Sequence, residues 1–147
     1  MKLATAILSC FAVIVGAQAQ QVHSQFGSAV DVRGVRYVGR AWDQVLAPWK
    51  ADAVFLPKPD YPYNERALHH EGVAIFRLDL DLKTGTVANV SMIQSSGFPK
   101  LDDVAFNTVK RWRWRPGRWK QIEVPVVFTM SPLRPGEPFV RHGPPPQ

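Results

Sequence analysis

Residues 69–71 bring together side chains that often bind metal ions or move protons. His69, His70 and Glu71 follow one another directly. A metal site needs three or four converging ligands, whereas adjacent residues on a helix point in different directions. The end of a surface helix explains this cluster better, and we predict no bound metal.

The acidic residues that follow have a spacing close to that of a calcium-binding loop. Asp79 and Asp81 would be ligands, but Lys83 stands at the third ligand position and Val90 replaces the bidentate glutamate. Neither a nucleophile elbow nor a phosphate-binding loop nor a zinc-binding helix motif occurs in the sequence. We therefore predict a protein that is not an enzyme and needs no cofactor.

Arginine and tryptophan alternate in residues 111–115, and the pattern returns in residues 118–120. Interleaved cations and indole rings can stack on bases, sugars or lipid headgroups. The alternative is that Trp112 and Trp114 anchor the end of a helix while the arginines are solvated. Under the first interpretation, contacts to an anionic envelope polymer or membrane surface would come from Arg115, Arg118, Trp119 and Lys120.

Length and composition are those of one globular domain with short extensions. The 147 residues are 46% hydrophobic and 20% charged, so a single core is expected. Lysine and arginine number 18 against 12 acidic residues, which gives a formal net charge of +6. Such a surface favours anionic partners.

Residues 1–19 are typical of an export signal. Lys2 precedes an apolar stretch that ends at the small residues Ala17-Gln18-Ala19. We predict cleavage after Ala19, a periplasmic location and no nucleic-acid partner. The alternative, an inner-membrane anchor over residues 3–17, falls short of the roughly 20 residues that span a membrane. Cleavage would also remove Cys10, the only cysteine.

The remaining chain begins and ends with segments of weak pattern. Residues 20–56 predict a partly ordered N-terminal extension, with a short strand or hairpin where hydrophobic residues alternate around Gly34. Helical spacing also occurs at Trp42, Val45, Leu46 and Trp49, but Pro48 is expected to interrupt any helix that continues through it. Residues 132–147 are rich in proline and predict a flexible tail. The folded domain is expected over residues 57–131.

Regular elements are predicted from the periodicity of the hydrophobic residues within this domain. In chain order they are a helix over 63–70 that ends at Gly72, a strand over 74–82, a strand over 86–94, a helix over 101–112 and a strand over 122–130. This order predicts an α+β fold, with two helices on one face of a three-stranded antiparallel sheet. Pro125 cannot donate a hydrogen bond to a neighbouring strand, so the last strand is expected at an edge or with an irregularity.

The motifs between these elements resemble the C-terminal domain of the TonB energy-transducer family over residues 57–130. Seven pieces in the right order and spacing carry the resemblance. They are Tyr61-Pro62, Gly72-Val73, Gly85-Thr86-Val87, Ser95-Ser96-Gly97, Leu101-Asp102, Trp112-Arg113-Trp114-Arg115-Pro116-Gly117 and Val124-Pro125-Val126.

The resemblance implies a periplasmic module that binds an outer-membrane receptor. In the family, the last strand captures a short extended receptor segment, aided by residues near the Tyr-Pro entry. An exposed edge strand suits this role because its unpaired N–H and C=O groups can accept an added strand. The candidate peptide-binding residues are Lys58, Pro59, Tyr61, Val124, Pro125, Val126, Val127, Phe128, Thr129 and Met130.

Two features of full transducers in this family are missing from the predicted organisation. These are an uncleaved membrane helix and a long proline-rich linker across the periplasm. The implied function is peptide capture linked to TonB-dependent transport. The alternative is a stand-alone envelope-binding or self-associating domain without a role in energy transduction, including a homodimer through the last strand.

Overall fold

A five-stranded antiparallel sheet organises the computed structural model, which describes residues 26–40 and 47–130. The strands are β1 (Phe26–Asp31), β2 (Arg36–Arg40), β3 (Ala53–Phe55), β4 (Gly72–Leu80), β5 (Val87–Gln94), β6 (Arg113–Trp114) and β7 (Trp119–Phe128). The large sheet has the order β2-β1-β7-β4-β5, and β3 pairs with β6 in a separate small sheet. The predicted α+β class is confirmed, but the predicted three-stranded sheet is wrong.

Three helices accompany these strands within the described residues: α1 (Pro48–Ala51), α2 (Tyr63–Ala67) and α3 (Pro99–Val109). The longest, α3, packs against β4 and β5. The alternation of β4 places Phe76 and Leu78 on the side that meets Leu101 of α3, and all three side chains are fully buried. The main core therefore lies between α3 and the sheet.

Two glycines allow the chain to pass close to its own backbone. Gly85, in the turn between β4 and β5, has a φ of +72°, and a Cβ there would lie 1.9 Å from the carbonyl oxygen of Trp114. A Cβ at Gly72 would lie 2.3 Å from the carbonyl oxygen of Ser96. Both positions need glycine because any side chain would collide with backbone.

The segment before α3 is held by the carboxylate of Asp102. It accepts hydrogen bonds from the Ser96 backbone N–H at 2.8 Å and from the Ser95 hydroxyl. The helix ends at Val109, earlier than predicted. Trp112 lies beyond it and donates its indole N–H to the carbonyl of Pro57 at 2.9 Å. This tertiary contact, with the pairing of β6 to β3, draws residues 112–114 out of helical geometry.

Helix α2 is also shorter than predicted. It ends after one turn and a half because His69 adopts a φ of +56°. The left-handed conformation lets the His70 N–H donate to the Glu65 carbonyl at 2.9 Å. The predicted stop at Gly72 is wrong, since Gly72 already belongs to β4.

Strands β1 and β2 form a hairpin within the predicted N-terminal extension. The carboxylate of Asp31 organises its turn, accepting backbone N–H groups of Arg33 and Val35, each at 2.9 Å. The hairpin joins the large sheet through β1 and β7. The sequence pattern suggested a hairpin here but contained no signal that it would extend the sheet.

Helix α1 buries a tryptophan from the same extension. Pro48 begins this helix and Ala47 before it is not helical, because the missing N–H of proline falls where helices leave N–H groups unpaired. Trp49 is 1% exposed, and its carbonyl accepts the indole N–H of Trp114 at 2.9 Å. The extension is therefore part of the core.

The export signal with Cys10, its alternative as an anchor, and the tail over residues 132–147 lie outside the described residues. Within residues 26–40 and 47–130, no helix is long and apolar enough to cross a membrane.

Candidate functional site

The last strand is interior along its first half and open along its second. β7 pairs with β4 from Gln121 to Phe128. On its other side it pairs with β1, but only from Trp119 to Glu123. Within the described residues, no strand pairs with Val124–Phe128 on that side. β7 is the third of the five strands, so the predicted edge position is wrong, and only the lack of pairing to Val124–Phe128 on the β1 side remains.

One short distance between β1 and β7 shows in which direction the backbone groups of Val124–Phe128 point. A Cβ built at Gly27 would lie 2.8 Å from the carbonyl oxygen of Glu123, so this carbonyl faces β1. Backbone groups alternate sides along an extended strand. Pro125 and Val127 therefore face the open side, and Val126 faces β4. The open side presents the carbonyls of Pro125 and Val127 and the Val127 N–H.

This alternation explains why a proline is tolerated inside the sheet. Pro125 lies opposite Ile75 of β4, and its missing donor falls on the side without a partner strand. The ladder between β4 and β7 thus keeps its donors. The side chains of Val124, Val126 and Phe128 are buried in the core, whereas those of Pro125 and Val127 are half-buried.

A groove of about 170 Å³ opens where the pairing between β1 and β7 stops. Its floor and walls include Gly27, Trp49, Leu56, Trp112, Val124 and Pro125. Gly27 and Trp49 were missed as site residues because their role depends on a non-local contact. A Cβ at Gly27 would lie 3.0 Å from the Trp49 ring, so the indole can pack there only over a glycine.

Residues near the Tyr-Pro entry lie beside the open end of β7. The ring of Tyr61 meets Phe128 edge-on at 5.4 Å, and its hydroxyl donates to the His70 carbonyl at 2.8 Å. Burial raises the pKa of the Tyr61 phenol, and the nearby Glu71 carboxylate raises this pKa further. Lys58 is exposed and Pro59 is half-buried. Lys58, Pro59 and Tyr61 were predicted to contact the peptide. Tyr61 also stabilises the fold, because its ring packs against Phe128.

The strand is held at its end by the carboxylate of Glu71. This buried side chain accepts the Met130 backbone N–H and, at 3.1 Å, the Thr129 hydroxyl. β7 ends at Phe128, so Thr129 and Met130, which were predicted within the strand, lie beyond it. Their contacts with Glu71 fix where the open edge stops.

Trp119 does not lie on a surface for anionic partners, as the first interpretation of the arginine-tryptophan run required. It is 1% exposed, and its indole N–H donates to the Asp52 carboxylate at 2.9 Å. The same carboxylate accepts from Arg118 at 2.8 Å, and the Arg118 guanidinium stacks over the Trp119 ring. Arg115 and Lys120 are exposed. Trp114 is also buried, which agrees with the anchoring interpretation.

The histidine cluster is arranged as a packed helix end. His70 Nδ1 lies 2.7 Å from the Glu65 carboxylate, and its ring stacks on Phe98 at 4.2 Å. Across the part of the chain that the structure describes, no three His, Cys, Asp or Glu side chains converge in a metal-binding group.

The fold and its open strand define the class of this protein: an α+β domain built on an antiparallel sheet, with a half-open strand beside an apolar groove. The chain belongs to the TonB C-terminal domain family, since residues 57–130 match the family described as Gram-negative bacterial TonB protein C-terminal. The predicted resemblance is confirmed. Residues 26–56, which supply β1, β2, β3 and Trp49, lie before the matched region.

The relatives and the solved structure described next each match about half of the chain. The TonB proteins of Neisseria gonorrhoeae and of Neisseria meningitidis serogroup C are each 28% identical to the chain over 76 residues, or 52% of its length. The chain spans about a quarter of these relatives, 26% and 27% of their lengths. The solution NMR structure of the Pseudomonas aeruginosa TonB CTD aligns with 56% of the chain and 88% of its own length, at a TM-score of 0.46 and 17% identity.

Proposed function

We propose that this protein is a periplasmic binding module of TonB type. It captures an extended peptide of an outer-membrane receptor by adding it as a strand to β7, as part of TonB-dependent transport. The observation that carries this proposal is the open side of Val124–Phe128, where the described residues provide no partner strand.

The physical basis is the pairing of backbone groups. The carbonyls of Pro125 and Val127 and the Val127 N–H lie in a row, and an extended peptide supplies complementary groups at the same spacing. Backbone pairing gives affinity for any extended chain, while the neighbouring side chains select among sequences. The captured segment is short, because β1 blocks the strand before Val124 and Glu71 holds the chain after Phe128.

Membership of the TonB family supports the periplasmic location and the receptor as partner. The matched relatives are named TonB proteins, and the chain covers about a quarter of each. Participation in energy transduction belongs to this proposal as well.

The test is a heteronuclear NMR titration of the exported protein with peptides from the N-terminal segments of outer-membrane receptors of its own organism. We expect shifts at the amide of Val127 and at its neighbours in β7, with smaller shifts around Lys58. The amides of β5, at the far edge of the sheet, serve as an internal control. A complete set of receptor peptides that leaves Val127 unchanged would reject the proposal.

A further inference from the structure

We infer that the apolar groove beside β7 is a selectivity pocket that accepts one large aliphatic or aromatic side chain of the captured peptide. This inference rests on the proposed function and adds the chemistry of the preferred ligand. The groove and the open backbone meet at Val124 and Pro125, so a single extended peptide can engage both.

The position of the groove follows the alternation of side chains in a strand. Val124 points into the core, on the side that carries Trp49 and Trp112. Side chains of a strand added to β7 alternate between this side and the opposite face, as those of neighbouring strands do. The first of them to point toward the core, just past Gly27, enters the groove.

The size of the groove suits a side chain better than a separate small molecule. Its volume is about 170 Å³, and small-molecule pockets usually exceed about 300 Å³. One wall is the edge of the strand, with the Pro125 carbonyl facing the open side. An occupant that satisfies this carbonyl must carry a donor beside its apolar part, as a peptide does.

The lining includes Lys50 and the Pro125 carbonyl, but the two indole donors in the walls are already engaged, which favours an apolar occupant between the rings. The indole N–H of Trp112 donates to the Pro57 carbonyl, and that of Trp114 donates to the Trp49 carbonyl. Neither indole donor can bind a polar ligand without losing its present partner. A polar side chain in the groove would therefore be desolvated without a new hydrogen bond from these rings.

Part of the groove comes from outside the matched family region. Gly27, Trp49 and Leu56 all belong to the extension, which ends directly before the matched residues 57–130. The backbone edge lies within residues 57–130, and the extension supplies much of the pocket. We therefore assign to the extension a role in selecting the peptide.

The experiment uses acetylated seven-residue peptides of alternating valine and threonine. Leucine or alanine replaces one position at a time, and each peptide is titrated into the protein by NMR. At one position, the peptide with leucine should bind about tenfold more tightly than the peptide with alanine. Burial of the larger aliphatic side chain contributes a free energy of about that size. The methyl groups of Leu56 and Val124 should shift with that leucine peptide.

Two variants separate the groove from the backbone edge. Leu56→Phe fills the groove and should abolish the preference for leucine, while the Val127 amide still responds to the peptides. Val54→Phe is the matched control, because Val54 is 63% exposed on β3 and outside the groove, and it should keep the preference.

The two proposals fail in different ways. Peptides that shift Val127 but show equal affinities for leucine and alanine at every position would overturn the selectivity pocket alone. The same holds if Leu56→Phe keeps the preference. Peptides that leave Val127 unshifted would reject strand capture and, with it, the pocket.

Discussion

At the scale of single residues, Val127 distinguishes peptide capture from folding. Its N–H faces the open side of β7, whereas the N–H of Val126 faces β4. Val127→Pro should therefore weaken peptide binding at least about tenfold while lowering the free energy of unfolding by no more than about 1 kcal/mol. Peptide titration and urea denaturation measure the two effects.

Val126→Pro is the matched control for this substitution. It removes a donor from the ladder between β4 and β7 and leaves a buried carbonyl of β4 unpaired, so we expect a loss of about 1–3 kcal/mol in the free energy of unfolding. Equal destabilisation by the two prolines would contradict the assigned direction of the backbone groups.

Asp31 gives the β1–β2 hairpin a dependence on pH. Burial of the carboxyl raises its pKa, but the N–H of Val35 and the backbone and guanidinium of Arg33 outweigh this and hold the pKa below the ordinary value of 3.8. The folded hairpin thus binds the proton more weakly than the unfolded chain does. Its contribution to stability is complete above pH about 4 and is lost as the pH falls through the folded pKa.

Hydrogen exchange of the Val35 amide checks this prediction. Protection of Val35 should fall below pH about 4, once the intrinsic pH dependence of exchange is subtracted. Asp31→Asn should lower the protection at neutral pH and remove most of its further decrease in acid. Unchanged protection in the variant would show that the carboxylate does not hold the turn.

At the scale of elements, the β4–β5 turn depends on a glycine that two constraints require. Gly85→Ala should lower the free energy of unfolding by more than about 2 kcal/mol, since the left-handed φ costs about 1–2 kcal/mol and the Cβ collides with the Trp114 carbonyl. Gly117→Ala is the control, because Gly117 has a φ of +90° but no neighbour within 4 Å of its Cβ.

Chemical denaturation of both glycine variants measures the part of the loss that comes from the collision. The loss in Gly117→Ala should stay near the conformational cost alone, at about 1–2 kcal/mol. A loss in Gly85→Ala no larger than in Gly117→Ala would mean that residues 85 and 114 can separate freely.

Among the elements, those with local signals were predicted well. The strands β4 and β5 and helix α3 follow hydrophobic periodicity, and the turn between the strands follows Gly85. The predicted end of α2 was wrong because His69 adopts a left-handed φ, and that of α3 was wrong because Trp112 makes a tertiary contact with Pro57. Trp119 was placed on the surface, since only its hydrogen bond to Asp52, far away in the sequence, shows that it is buried.

At the scale of the whole molecule, the sheet of the described residues ends at β2 and at β5, and the uncharged β5 edge is the candidate for self-association. β5 pairs only with β4 within the described residues and contains no charged residue. Its Met92 and Ile93 are 51% and 45% exposed. Uncharged edge strands without proline are prone to pair with other copies. A homodimer through β5 is thus expected as an alternative to the one predicted through the last strand.

Met92→Lys tests this expectation by placing a charge on the edge. Sedimentation velocity over a range of concentrations should show weaker self-association in this variant than in the wild type. The response of Val127 to peptides should remain unchanged. Self-association that competes with peptide binding and ignores Met92→Lys would instead locate it at β7.

The sequence by itself determined the family, the α+β class and the elements whose pattern is local, because hydrophobic period, prolines and glycines act over a few residues. Only the tertiary structure decided that a hairpin from the extension joins the sheet and covers half of β7. It also decided that Trp49 and Gly27 build a groove beside the other half. Pairing between distant strands uses backbone N–H and C=O groups, which nearly every residue carries. The sequence of side chains therefore does not specify which distant strands pair.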